Sequence, residues 1–115
     1  MDEIIGLDDL DNFILNNQNK NIILFFGAIW CEPCKKLKNN IIDIKDEIKK
    51  KNCCLCYIDV DNELNSEIIN KYKIKFLPSQ ICINLTNKNN CIKINITNRI
   101  DGYDYTKLQQ VIDEL

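Results

Sequence analysis

The sequence predicts an α/β fold in which helices cover both faces of one central sheet. Two observations lead to this prediction: strand-like and helix-like segments alternate along most of the chain, and residues 21–27 form a continuous apolar run that ends at a glycine. Alternation of strands with helices is typical of layered α/β proteins. An uninterrupted apolar strand is typical of a sheet centre that is covered on both faces. With 115 residues and no linker or repeat, we expect one domain over residues 1–115.

The first half of the chain contains three predicted strands separated by two helices. Residues 3–5 indicate a short first strand, and apolar residues at helical spacing predict a helix from about Leu7. After the central strand the pattern is helical from Cys31 to about Lys51, where lysines complement the negative pole of the helix dipole. Residues 53–58 form the third strand.

The second half adds one helix, a hairpin and a terminal helix. Apolar residues at positions 64, 68, 69 and 72 predict the third helix, and Pro78 interrupts the chain after it. Alternating isoleucines on both sides of the polar tract 86–90 predict two antiparallel strands joined by a turn in that tract. Gly102 breaks the chain before a last helix that carries Leu108. The predicted order is β-α-β-α-β-α-β-β-α.

Composition and charge exclude several classes of partner. The net charge is −2 and the pI is about 5.1, which gives no reason to expect binding to nucleic acid or to an anionic membrane. No apolar stretch approaches the length of a membrane span, and residues 1–4 lack the basic and apolar regions of a secretory signal. We therefore expect a cytoplasmic monomer whose seven cysteines are mostly thiols.

The most informative motif is Trp30-Cys31-Glu32-Pro33-Cys34, which follows the central strand and opens a helix. Two sulfurs three residues apart can close a disulfide at a helix N-terminus, where unpaired N–H groups and the dipole stabilise a thiolate. The thiolate is the attacking species in thiol–disulfide exchange, so the motif predicts redox chemistry. The alternatives are half of a zinc site or two buried thiols. The chain has no histidine and no second Cys-x-x-Cys to complete a zinc site, although a site assembled across the fold stays open.

The chain resembles the thioredoxin family over essentially its whole length. The motifs that carry the resemblance are Trp30-Cys31-Glu32-Pro33-Cys34-Lys35, Asp59-Val60-Asp61, Phe76-Leu77-Pro78, and Gly102 before Lys107-Leu108. The resemblance implies a thioredoxin fold, a three-layer α/β/α sandwich with a central mixed β-sheet. It also implies reversible dithiol–disulfide exchange on protein substrates, with no metal and no tightly bound cofactor. A thioredoxin reductase or another thiol reductant would regenerate the dithiol.

The same resemblance implies roles for individual residues. Cys31 would be the exposed attacking thiol and Cys34 the buried resolving thiol. Pro78 would be a cis proline facing the disulfide, and Leu77 would offer backbone hydrogen bonds to a substrate strand. Trp30 would contribute to the substrate-binding surface.

The chain departs from the family pattern at five positions: Phe25, Glu32, Asn39, Tyr57 and Asn98. Glu32, beside Pro33, replaces a common glycine, and its carboxylate opposes a neighbouring thiolate. Phe25 takes the place of a buried aspartate that helps to move the proton of the resolving thiol, and Tyr57 takes that of a lysine facing it. Asn39 replaces a helix-kinking proline, so we expect a straighter helix. Asn98 stands where the family commonly has a glycine in the substrate-docking loop.

The other five cysteines fall in predicted strands, where cysteine behaves as a small buried hydrophobe. Whichever of Cys54 and Cys91 is exposed is the candidate for regulatory oxidation. The five are Cys53, Cys54, Cys56, Cys82 and Cys91.

Three functions are compatible with these patterns. The first is a cytosolic protein-disulfide reductase that works through Cys31 and Cys34. The second is a binding or regulatory module that turns over slowly because Phe25 removes the buried acid. The third is a specialised redox relay like the tethered oxidoreductases of cytochrome c maturation, which also use Cys-Glu-Pro-Cys. Such relays usually carry an insertion between the active site and the cis proline, and an N-terminal anchor. In this chain Cys31 and Pro78 are only 47 positions apart and we expect no anchor, so this function ranks third.

Overall fold

The computed structural model describes residues 1–115 as one mixed sheet with helices on both faces. The strands are β1 (Asp2–Ile4), β2 (Asn21–Gly27), β3 (Cys53–Asp59), β4 (Ser79–Lys88) and β5 (Cys91–Asp101). The helices are α1 (Leu7–Asn16), α2 (Glu32–Asp43), α3 (Lys45–Lys50), α4 (Ser66–Lys71) and α5 (Tyr105–Asp113), and a short 3-10 turn at Glu63–Asn65 precedes α4. No helix combines the length and the apolar character that crossing a membrane requires.

The sheet has the strand order β1-β3-β2-β4-β5. The pairs β1–β3 and β3–β2 are parallel, whereas β2–β4 and β4–β5 are antiparallel. The apolar run predicted as the central strand is β2, whose residues from Ile22 to Gly27 are all buried. The predicted mixed sheet and its central strand are therefore confirmed.

Two apolar cores lie on opposite faces of the sheet. One joins β2 and β3 to α2, α3 and α5 through residues such as Leu37, Ile48 and Leu108, and it also contains Cys31 and Cys34. The other joins the sheet to α1 and α4. Because helices cover both faces, the predicted three-layer α/β/α sandwich is confirmed.

The helix predicted from Cys31 to Lys51 is divided in two at Ile44. Ile44 has φ −112° and ψ 18°, which ends α2 before α3 begins. The expectation of one continuous helix from Cys31 to Lys51 is therefore wrong, whereas at Asn39, where we expect a straighter helix, α2 continues without interruption. Ile41 of α2 and Ile48 of α3 still pack into the same core, as their spacing of seven residues predicts.

The hairpin turn is shorter than the sequence predicts. β4 and β5 continue through most of the polar tract, and only Asn89 and Asn90 connect them, with φ of 53° and 64°. Positive φ at both central residues is the geometry of a type I′ turn, which asparagine tolerates better than most residues. The polar side chains of Thr86 and Lys88 are exposed, so they do not oppose strand pairing there.

Candidate active site

Cys31 and Cys34 form a disulfide at the N-terminus of α2, with their Cα atoms 5.2 Å apart. Cys31 is the N-cap residue, and its Sγ accepts a hydrogen bond from the Cys34 N–H at 3.2 Å. Pro33 lies in the first turn, where its missing N–H costs no helical hydrogen bond. The helix start therefore directs a backbone donor at the sulfur of Cys31, which stabilises negative charge on that sulfur in the reduced state.

The two sulfurs differ less in exposure than the resemblance implies. In the disulfide, Cys31 is 4% exposed and Cys34 is 1% exposed, so the expectation of an exposed Cys31 is wrong for this state. Cys31 nevertheless lines a surface groove of about 570 Å³, and Cys34 does not. A partner can therefore approach Cys31, while Cys34 lies behind it in the core. The roles of attacking and resolving thiol stay predictions.

The groove beside Cys31 has aromatic and apolar walls. Trp30, which is 66% exposed, forms one side, and its Nε1 donates to Asp61 Oδ2 at 2.7 Å. Phe76 and Leu77 line the same groove, and Phe76 is also exposed. Exposed aromatic side chains flanking a reactive sulfur are suited to binding an apolar segment of a partner.

The peptide bond between Leu77 and Pro78 is cis, as the resemblance implies. Leu77 lies outside the helices and strands, and its N–H and C=O make no hydrogen bond within the chain. The Pro78 carbonyl accepts from the Gly102 N–H at 2.7 Å. The backbone of Leu77 is therefore available to a bound strand, while Pro78 is tied to the turn after β5.

Glu32 points to Lys35, with 3.0 Å between Oε1 and Nζ. Both side chains are well exposed, so water screens this ion pair and it contributes little to stability. The pair does, however, place a positive charge beside the carboxylate that neighbours Cys31. The effect of Glu32 on the thiolate is therefore reduced.

Phe25 and Tyr57 meet Cys34 at Gly27. A Cβ atom built on Gly27 would lie 3.0 Å from Tyr57 Cε2, 3.1 Å from Phe25 Cε1 and 3.4 Å from Cys34 Sγ. Both rings therefore lie close to Cys34 on the core side of the disulfide. A Cβ at position 27 would be in unusually tight contact with both rings, so glycine is the residue that fits here without a shift of either ring.

Tyr57 carries a buried hydroxyl without a hydrogen-bond partner. Burial raises the pKa of Tyr57 to about 12, and the charges of Asp59, Glu3 and Asp61 add to the rise. The Lys38 Nζ lies 3.5 Å from the centroid of the Tyr57 ring, within cation–π distance. Sequence analysis missed Lys38, although its position one turn after Cys34 on α2 places both on one face of the helix.

The remaining cysteines divide into buried and accessible thiols. Cys53, Cys56 and Cys82 are buried as predicted, Cys54 is half-buried, and Cys91 is exposed, so the prediction of burial is wrong for Cys91. Burial raises the pKa of Cys53 and of Cys82 to about 12, and neighbouring thiols add to the rise at Cys53. No three metal-ligating side chains are grouped closely enough to hold a metal ion.

Asn98 does not lie in a loop beside the disulfide, and this expectation is wrong. It pairs with Cys82 inside β5, next to a β-bulge. The turn that approaches Pro78 follows three residues later, at Asp101 and Gly102. Periodicity alone does not reveal the extra residue of a bulge, which shifts the register of everything after it.

The Thioredoxin family model matches residues 6–114. The chain belongs to the thioredoxin family. Among curated members, Thioredoxin 3 of Plasmodium falciparum (isolate 3D7) is 29% identical over 87 residues, which cover 75% of this chain and 46% of that protein. A thioredoxin of Mycoplasmoides gallisepticum (strain R(low / passage 15 / clone 2)) is 32% identical over 83 residues, which cover 70% of this chain and 75% of that one.

Solved thioredoxins share the whole fold. The X-ray structure of Fasciola hepatica thioredoxin has a TM-score of 0.81 and 25% identity, and the match covers 99% of this chain and 98% of that one. The chain nevertheless spans less than half the length of several curated thioredoxins that it matches. Family membership and fold are thus established for the domain.

Proposed function

We propose that this member of the thioredoxin family reduces disulfides in protein substrates through Cys31 and Cys34. The observation that carries the proposal is the Cys31–Cys34 disulfide at the start of α2. It lies beside a groove that is also lined by Leu77, whose backbone N–H and C=O make no hydrogen bond within the chain. Thioredoxin-family pairs of this kind exchange between dithiol and disulfide. The proteins that supply and consume its electrons belong to the proposal as well.

The reaction has two steps. The Cys31 thiolate attacks one sulfur of the substrate disulfide, which forms a mixed disulfide and releases the first substrate thiolate. Cys34 then loses its proton and attacks Cys31 Sγ, which releases the second substrate thiol and closes the Cys31–Cys34 disulfide. Two electrons pass to the substrate, and a thioredoxin reductase or another thiol reductant returns them.

A second candidate function is a binding module with slow turnover. The observation that favours it is the buried ring of Phe25 behind Cys34, where the family commonly has an acid. Without a proton acceptor at that point, the second step slows while the binding surface stays intact. Such a protein would hold partners as mixed disulfides for longer.

Reduction of insulin with a continuous supply of reductant tests both candidates. We expect wild-type protein to precipitate insulin far faster than the reductant alone, and Cys31→Ser to lose this activity. Cys91→Ser is the matched control, because that thiol is exposed and lies at the far end of the hairpin. A wild type that only matches the Cys31→Ser rate while still forming mixed disulfides would favour the binding module.

The proposal includes a reducing compartment, the cytoplasm, and a monomer. Support comes from the five cysteines outside the disulfide, all of which are free, since reducing compartments keep such thiols unpaired. Cell fractionation with an antibody and sedimentation of the purified protein test these two points. Recovery in an organelle, or a dimer, would overturn them.

A further inference from the structure

Arg99 on β5 is the only arginine in the chain, and its side chain binds backbone carbonyls directly after the C-terminus of α4. Its Nη1 donates to the carbonyl of Tyr72 at 2.5 Å, and its Nη2 donates to the carbonyl of Lys73 at 2.7 Å. The C-terminal carbonyls of a helix lack partners within the helix and carry the negative pole of its dipole. One guanidinium therefore satisfies two carbonyls at the point where the chain leaves α4.

The same guanidinium reaches the start of β4 through a carboxylate. Arg99 Nε donates to Asp101 Oδ1 at 3.1 Å, and Ser79 Oγ lies 3.3 Å from that oxygen. The Ser79 hydroxyl is closer to the carbonyl of Phe76, at 2.6 Å. The single Ser79 proton is donated mainly to the nearer Phe76 carbonyl, and Asp101, which accepts from Arg99, is its weaker second acceptor.

These contacts hold both ends of one loop. Residues 72–78 connect α4 to β4 and contain Phe76, Leu77 and Pro78. Arg99 fixes the first two residues of the loop, and Ser79 fixes the carbonyl of Phe76. The side chains of Arg99 and Asp101 are about one-third exposed, so water screens the pair less than it would at the open surface.

We infer that Arg99 is a positioning residue for protein substrates: it sets the loop that contributes Phe76 and Leu77 to the groove beside Cys31. This inference rests on the proposed reduction of protein disulfides. A protein substrate needs the backbone of Leu77 at the distance and angle of hydrogen bonds between paired strands. Small shifts of such positioning groups lower the reaction rate strongly. A small disulfide needs only access to Cys31. Loss of Arg99 should therefore affect the two kinds of substrate differently.

The planar fork of arginine is essential to this geometry. Lysine presents all its donors from one nitrogen, whereas three different nitrogens of Arg99 each reach a separate partner, Tyr72, Lys73 or Asp101. Arg99→Lys should therefore recover only part of what Arg99→Ala loses. Asp101→Asn keeps an acceptor oxygen near Arg99 and Ser79 but removes the charge, so it should be milder than Arg99→Ala.

The test compares insulin with 2-hydroxyethyl disulfide as substrates. For Arg99→Ala we expect the KM for insulin to rise about fivefold to tenfold, because the variant loses the charged hydrogen bonds that hold the loop. We expect kcat, and the rate with 2-hydroxyethyl disulfide, to change less than twofold. Arg99→Lys should fall between, and Lys93→Ala, an exposed residue on the same strand, should match wild type.

A second measurement separates positioning from activity. The N–H of Ile74, which lies in the loop of residues 72–78, donates to the carbonyl of Ile69 in α4 at 3.1 Å. The hydrogen exchange of the Ile74 amide should therefore accelerate in Arg99→Ala. Unchanged KM together with unchanged exchange would overturn the inference. Equal losses with both substrates would also overturn it, because they would indicate damage to the redox centre. A wild type that fails with insulin would instead refute the proposed function.

Discussion

The ring of Phe25 lies 5.8 Å from the ring of Tyr57, centroid to centroid, at an interplanar angle of 51°. The two rings close the space behind Cys34. Because the pKa of Tyr57 is raised to about 12 by burial and nearby carboxylates, its hydroxyl stays protonated near neutral pH and cannot accept the Cys34 proton. Neither Phe25 nor Tyr57 can therefore accept the Cys34 proton in place of the buried aspartate that the family commonly has.

We expect Phe25→Asp to accelerate resolution of the mixed disulfide at pH 7. In wild type, the Cys34 proton must leave to water or to the departing thiolate, so resolution should be slow at neutral pH and faster as the pH rises. An aspartate at this position would supply an acceptor. Single-turnover release of substrate from a trapped mixed disulfide, measured from pH 6 to pH 9, gives the comparison. Fast wild-type release at pH 7, with no gain in the variant, would contradict this expectation.

The same variant should lose stability, and increasingly so at high pH. Replacement of the buried ring should cost at least about 3 kcal/mol, since it removes packing and buries a carboxyl group. Burial would raise the pKa of that carboxyl above its unfolded value. The protonated form is tolerated best, so the loss grows as pH rises through the folded pKa. Urea unfolding at pH 5 and pH 8, with Tyr57→Phe as the control that keeps both rings, measures it.

Cys34→Ser should accumulate mixed disulfides with protein substrates, and Cys31→Ser should accumulate none. Cys31 lines the groove and its sulfur accepts from the backbone of α2, while Cys34 lies behind it. Mass spectrometry of adducts with a disulfide-containing protein reads this directly. Equal trapping by the two variants would show that either sulfur can be attacked.

Glu32→Gln should lower the pKa of the Cys31 thiol by less than about one unit. The carboxylate repels the thiolate, but its contact with Lys35 offsets part of that repulsion. Lys35→Gln should therefore shift the pKa in the opposite direction. Thiolate absorbance during a pH titration of the reduced protein gives both values. An unchanged pKa in Glu32→Gln would mean that Glu32 acts on docking alone, and a rise would show that its net effect on the thiolate is not repulsive.

Cys91 should be the first thiol outside the disulfide to react with iodoacetamide. It is exposed, whereas Cys53 and Cys82 are buried and have their pKa raised to about 12, so their thiolates are scarce at pH 8. Cys54, which is half-buried, should follow more slowly. Peptide mapping of the oxidised native protein against time gives the order. Early labelling of Cys82 would show that the core opens readily.

Gly27→Ala should destabilise the fold by about 1–3 kcal/mol through overpacking. The added methyl group would meet two buried rings at about 3 Å, so both rings would have to shift by a few tenths of an ångström. Urea unfolding gives the loss, and Lys93→Ala serves as a neutral control. Wild-type stability in Gly27→Ala would show that the rings move aside freely.

The amino-acid sequence by itself determined the layered α/β class, the central strand β2 and the redox motif. These features depend on local information: the period of apolar residues, and the position of Cys31 and Cys34 at the junction of a strand and a helix. The family motifs extended this to the cis bond before Pro78 and to the location of Phe25 and Tyr57 behind Cys34. Each of those positions follows from chain order on a known topology.

Only the tertiary structure decided where α2 ends, where β5 shifts register and how the loop of residues 72–78 is held. Ile44 leaves the helical conformation although the apolar spacing continues through it, so the helical pattern does not reveal the break. The bulge beside Asn98 displaced the turn to Gly102. The role of Arg99 cannot be derived from the sequence, because its partners are two carbonyls at the end of another element, and a contact to the backbone does not depend on the residue types of the partners.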